Sequence, residues 1–184
     1  MKRVLIGLMV AAVAAIGFGG VGAFAGANGQ LQAFGTGTVV ITSADSATIV
    51  NTTGQYGGVF LNSKSQSAKP LNAVSFSFVS TGDVAGGAPR FSIPIDTNGV
   101  RGTVEGYAFL DAAGCGATVG PNTTVSTTVS TSSLSCAVNF QSVDYANWAT
   151  FAADNPTFRI AAGAIPFIIA DVAGSYAVSS IDLH

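Results

Sequence analysis

The run Val74-Ser75-Phe76-Ser77-Phe78 alternates apolar and hydroxyl side chains, and Phe91-Ser92-Ile93-Pro94-Ile95-Asp96 repeats the pattern. Successive side chains on a strand point to opposite faces, so each run sets three apolar groups on one face. Between them, Ser80 to Pro89 is a Gly-rich loop that contains Asp83. After them, Asp96-Thr97-Asn98-Gly99 reads as a tight turn, because Asn and Gly accept positive φ, and Val104 to Leu110 is the returning strand. Pro94 has no N–H to donate, which predicts that its strand lies at a sheet edge.

Outward from this unit the chain keeps the same grammar. Toward the N-terminus, Thr38 to Thr42, Thr48 to Val50 and Gly57 to Leu61 read as strands, with residues 62–70 as a polar loop. Toward the C-terminus come Thr123 to Val129, an inward set of Leu134, Cys136, Val138 and Phe140, then Phe158 with Ile160, Ile165 to Ala170, and Tyr176 to Leu183. Tyr145, Trp148 and Phe151 are spaced by three among alanines and stop at Asn155-Pro156, which predicts one short helix near 145–154. Many short strands with frequent turn signals and almost no helix predict an all-β, antiparallel two-sheet sandwich. It is read as jelly-roll-like rather than immunoglobulin-like, because Trp148 follows both cysteines instead of lying between them.

Composition agrees. Charged residues make up 9% of the chain, against about 25% in typical domains. Ser, Thr, Asn and Gly take the polar positions, which suits strand surfaces and turns better than helices.

The first residues read as an export signal. Met1-Lys2-Arg3 is a basic start, Val4 to Ile16 an apolar core, and Ala23-Phe24-Ala25 a small-x-small cleavage site. The rival reading, a retained membrane anchor, has the length, since about 20 residues span a bilayer. Its second half, however, is Gly and Ala with no cationic stop after it. The expected organisation is a signal peptide over 1–25, a flexible lead over 26–37 and one sandwich domain over 38–184. After cleavage five cations face nine acids, 5 − 9 = −4, and the acids are dispersed. That excludes a basic nucleic-acid face, and ties to a membrane are expected only through the signal peptide. Cys115 and Cys136 both lie in the exported part and predict a disulfide, which by chain entropy is worth roughly 3 kcal/mol for a loop of about 22 residues.

The last stretch, Gly174-Ser-Tyr-Ala-Val-Ser-Ser-Ile-Asp-Leu183, resembles the final strand of jelly-roll carbohydrate-binding modules. The resemblance covers about ten residues. It implies a sugar-binding role, and a structural calcium that Asp182 would help to hold.

Catalytic groups are scarce. A Ser-His-Asp triad needs a held histidine, and the sole histidine is His184, the last residue. A glycosidase needs two carboxyls facing one another across the scissile bond. Glu105 is the single glutamate, and its plain reading is a strand residue balancing Arg101. Calcium wants several converging oxygens, for which Asp83, Asp111, Asp171 and Asp182 are the candidates. Trp148, Tyr145 and Tyr107 are the foremost aromatic candidates for stacking on a sugar ring, ahead of Tyr56 and Tyr176. Asn51-Thr-Thr53 and Asn122-Thr-Thr124 are glycosylation sequons. The expectation is an exported, non-catalytic protein, secreted or on the cell surface, that binds an extracellular glycan or envelope polymer. The alternatives are a structural protein that associates with itself, favoured by low charge, and a secreted hydrolase.

Overall fold

A computed structural model of the chain describes residues 31–62, 68–100 and 102–184. The segment 1–25 and the start of the lead, 26–30, lie outside the described residues. The strands are β1 Leu31–Gly35, β2 Thr38–Ser43, β3 Ser46–Asn51, β4 Gly57–Leu61, β5 Phe76–Val84, β6 Arg90–Asp96, β7 Gly106–Asp111, β8 Gly120–Ser130, β9 Val138–Phe140 and β10 Val143–Tyr145. After helix α1, Trp148–Asp154, come β11 Arg159–Ile160, β12 Phe167–Ala170 and β13 Gly174–Leu183.

The strands form two sheets, and every ladder within them is antiparallel. The five-stranded sheet runs β2-β3-β13-β5-β8. The eight-stranded sheet runs β1-β4-β12-β6-β7-β9-β10, with β11 beside β6. The chain crosses between sheets at β1–β2, β3–β4, β4–β5, β5–β6, β7–β8, β8–β9 and β12–β13. Its late ribbon then returns to fill the gaps, β12 between β4 and β6, β13 between β3 and β5. This wrapping of a long ribbon on itself is the jelly roll, and the all-β two-sheet sandwich read from the sequence is the fold observed.

The two inner faces meet in one core. Phe78 and Phe76 of β5 pack edge-on against Phe91 of β6, with centroids 4.8 and 6.0 Å apart, and Trp148 lies against Phe76 at 6.4 Å. These are the alternating runs that open the sequence argument, facing each other across the sandwich. Asn51 ties the layers by donating to Ala170 O at 2.8 Å.

The structure corrects four details. The lead is not flexible over its second half, because Leu31 is buried and Leu31–Gly35 pairs with β4. Pro94 lies inside the eight-stranded sheet, not at an edge. Its carbonyl accepts from Ala161 N at 2.9 Å, so the missing N–H points to the same side, where β12 has already ended at the Phe167–Ser92 pair. The helix begins at Trp148, because Asn147 caps it by accepting from Thr150 N at 2.9 Å, and this leaves Tyr145 at the end of β10. Leu134 is 78% exposed and stands outside any strand, so the inward set starts at Cys136.

Candidate functional site

An antiparallel sheet with one face on a core normally shows polar residues on the other. The eight-stranded sheet does not. On its outward face Phe60 of β4 pairs with Phe167 of β12, Phe167 with Ser92 of β6, and Ser92 with Phe109 of β7. Phe34 of β1 and Tyr107 of β7 complete the surface. The rings touch in sequence: Phe34 to Phe60 at 4.3 Å, Phe60 to Phe167 at 5.8 Å and Phe167 to Tyr107 at 5.4 Å. All five aromatic residues are half-buried; four of the rings touch one another, and Phe109 lies under Arg90.

The backbone is shaped to hold them. Phe34 lies across Gly58, where an added Cβ would stand 2.6 Å from Phe34 Cζ. Gly58 is therefore the floor on which the first ring rests. Ser92, fully buried among the rings, has a hydroxyl with no hydrogen-bond partner. Arg90 crosses the face with its guanidinium 5.3 Å from the Phe109 centroid and both terminal nitrogens on Asp171, at 2.8 and 2.7 Å. Burial pushes the Asp171 carboxyl up. The hydrogen bonds and charge of Arg90 outweigh that and hold it below the usual carboxylate range. Burial also raises the Tyr107 hydroxyl above its ordinary value. The face is thus largely aromatic, with the exposed Gln32 amide beside Phe60 at one end and the Asp111 and Asp144 carboxyls toward the other.

The other predicted site residues lie elsewhere. Trp148 and Tyr145 come together, both on Phe151, at 5.4 and 5.0 Å. Trp148 is 3% exposed and its indole N–H donates to Leu71 O at 2.9 Å, so it is a core residue rather than an open stacking platform. A shallow cleft of about 480 Å³ lies over this corner, lined by Trp148, Asn72, Ser132, Ala149 and Asn155 among others, none of them charged. Tyr107 is the one predicted aromatic on the outward face, and its Phe neighbours were missed. The available signal was that β4, β7 and β12 carry apolar residues at both parities of the alternation, which reads equally as a strand buried on both sides.

The calcium candidates do not share a site. Asp83 takes Asn122 N and Ser175 N, each at 2.6 Å, and so pins β5 to both neighbouring strands. Asp111 accepts from Gly114 N at 2.7 Å in the turn that leads to Cys115. Asp182 accepts from Leu183 N and pairs with the exposed His184 at the chain end. Among the described residues no group of three His, Cys, Asp or Glu side chains could hold a metal ion. The physical reason is that each Asp serves its own turn or strand end, the commonest role of the residue.

Glu105 also serves a turn. It accepts from Thr97 N at 2.9 Å and from Asn98 Nδ2 at 2.8 Å. The Thr103 hydroxyl, with these bonds, lowers its pKa, whereas a glycosidase acid needs the reverse. Asn51, the first sequon residue, is buried with its amide committed to Ala170, while Asn122 is exposed. Cys115 and Cys136 form the expected disulfide, which agrees with an oxidising compartment. No protein-family model, curated protein or solved structure matches the chain.

Proposed function

We propose that this is an exported, non-catalytic structural protein that associates with copies of itself through the aromatic outward face of its eight-stranded sheet. The contact chain Phe34, Phe60, Phe167, Tyr107 on a surface that would otherwise be polar carries the reading. Two considerations favour a second copy as the occupant. A glycan needs several polar groups placed around its rings, and here Ser92 is sealed, Arg90 is committed to Asp171 and Asn139 to Asp144, which leaves the Gln32 amide at the β1 end. Strands about 4.8 Å apart and about 17 Å long give seven of them roughly 500 Å² of face, or on the order of 1,000 Å² for a pair. That is at the low end for a specific contact and predicts a weak, concentration-dependent dimer.

Sedimentation velocity over a hundredfold concentration range tests it. The wild type should gain mass with concentration, and Phe60→Thr with Phe167→Thr should remove the face-mediated step while circular dichroism stays unchanged. A wild type that stays monomeric throughout ends the proposal.

The uncharged cleft beside Trp148 favours a second reading, a module for a neutral glycan or another envelope polymer. Its Asn and Ser side chains offer the donors and acceptors that the aromatic face lacks. A rise in melting temperature with a soluble glycan, absent in Asn72→Ala, would move weight to it. Excess ligand at about 100 times Kd stabilises by ~2.7 kcal/mol.

A further inference from the structure

The ends of the two sheets differ in how they are protected. Exposed edge strands are templates for pairing with another chain, and proteins blunt them with Pro, charges, bulges or short length. Three of the four end strands carry such devices. β8 contains Pro121 and Asn122 at φ 52, and its pairing with β5 shifts twice, so that extra residues bulge between Thr123 and Thr127. β1 is five residues long and ends on Gly35 at φ 109, and β10 has three residues. β2 carries none of these over its first four residues.

β2 reads Thr38-Val-Val-Ile-Thr-Ser43: β-branched from Thr38 to Thr42, uncharged, without Gly or Pro. Its ladder with β3 is regular from Thr38 to Ile41 and shifts only between Ile41 and Ser43. Val40, at its middle, is 52% exposed. Such six-residue, neutral, β-prone segments are the ones that pair with their own kind.

We infer that β2 pairs antiparallel with β2 of a second copy, joining two five-stranded sheets into one of ten strands. The nearest charge argues for a second copy as the partner. Asp45 lies in the hairpin turn after Ser43, where its carboxylate accepts from the Ser43 hydroxyl, about 12 Å along the strand axis from Val40, so in a two-fold pairing centred on Val40 the two Asp45 carboxylates lie about 24 Å apart. That is more than twice the ~10 Å screening length at 0.1 M salt, so the repulsion between them is largely screened. Antiparallel pairing also follows from two-fold symmetry and forms the more stable ladder. A further consequence rests on the proposed face-to-face contact. Two different self-complementary surfaces, one on each sheet, link copies alternately by face and by edge into an unbranched row.

The test is sedimentation of the exported protein and of Val40→Lys, an exposed position where a lysine leaves the core untouched. Amide exchange of Thr38–Ile41 at low and high concentration is measured alongside. The wild type should form species larger than dimers, Val40→Lys should stop at dimers, and the β2 amides should slow at least tenfold at high concentration while those of β8 do not. Val40→Lys sedimenting as a monomer would uphold the edge pairing and remove the face contact. Val40→Lys assembling like the wild type, with β2 amides that exchange alike at both concentrations, overturns the edge pairing whatever the Phe60/Phe167 variant does.

Discussion

The two sheets of this molecule share one core and differ on their outer sides. The five-stranded sheet shows solvent Thr48, Thr81, Ser175 and Ser77, with Val40, Val50, Val79 and Val125 as its larger apolar groups and no aromatic ring among them. The eight-stranded sheet shows it Phe34, Phe60, Phe167, Tyr107 and Phe109. Both patterns build stable strands, because an inner row of Phe, Ile, Leu and Val is enough to hold a sheet on a core. The outer aromatic row is the feature on which the proposed self-association rests.

The sharpest way to break that comparison is to remove one inner ring and one outer ring. Phe91 is fully buried between Phe76 and Phe78, and Phe91→Ala should cost about 3–5 kcal/mol in chemical denaturation. Phe167→Ala, half-buried on the outer face, should cost about 1 kcal/mol while weakening association. If the outer substitution proves as costly as the inner one, the outer row is structural and the case for a partner weakens.

Next in size is Gly58. A Cβ there meets Ile168 O of the neighbouring strand as well as the Phe34 ring. Gly58→Ala should cost about 2–3 kcal/mol, and Phe34→Ala on top of it should recover only part, since the backbone contact remains. Full recovery would show that the ring alone forbids a side chain at Gly58.

The inner row was legible in the sequence and the outer row was not, for one physical reason. Alternation reports a strand with one dry face. Phe91-Ser92-Ile93-Pro94-Ile95 and Val74 to Phe78 announce themselves that way, and the sandwich followed from them. In Phe167-Ile168-Ile169-Ala170 both parities are apolar, so period alone cannot tell a second core from a sticky exterior. The jelly-roll order depends on where β12 and β13 insert, a matter of long-range pairing that no local pattern encodes. Trp148 was weighed as a sugar platform because its residue type allows it; Leu71 O, 77 positions away in the chain, decides that it is core. The Asp candidates failed as a set because residue type shows oxygens but not their direction.

The smallest expected effect concerns acid. On the five-stranded sheet Asp83 accepts main-chain N–H groups, whereas at the aromatic face Asp171 accepts a guanidinium that is itself packed over a ring. The folded protein holds the Asp171 carboxyl below its ordinary value, so the folded state binds that proton less readily than the unfolded chain. Its contribution is complete above the unfolded pKa and is lost as pH falls through the lower, folded one. Asp171 is 39% exposed, so solvent screening limits the contribution to about 1 kcal/mol or less. Thermal melts of the wild type and Asp171→Asn should differ by a constant margin above about pH 5 and converge below about pH 3. A margin that persists at the acid end would mean that the amide of the Asp171→Asn variant disturbs packing around Arg90 and Phe109. The ion pair would then be a brace for the aromatic face rather than a neutralised charge upon it.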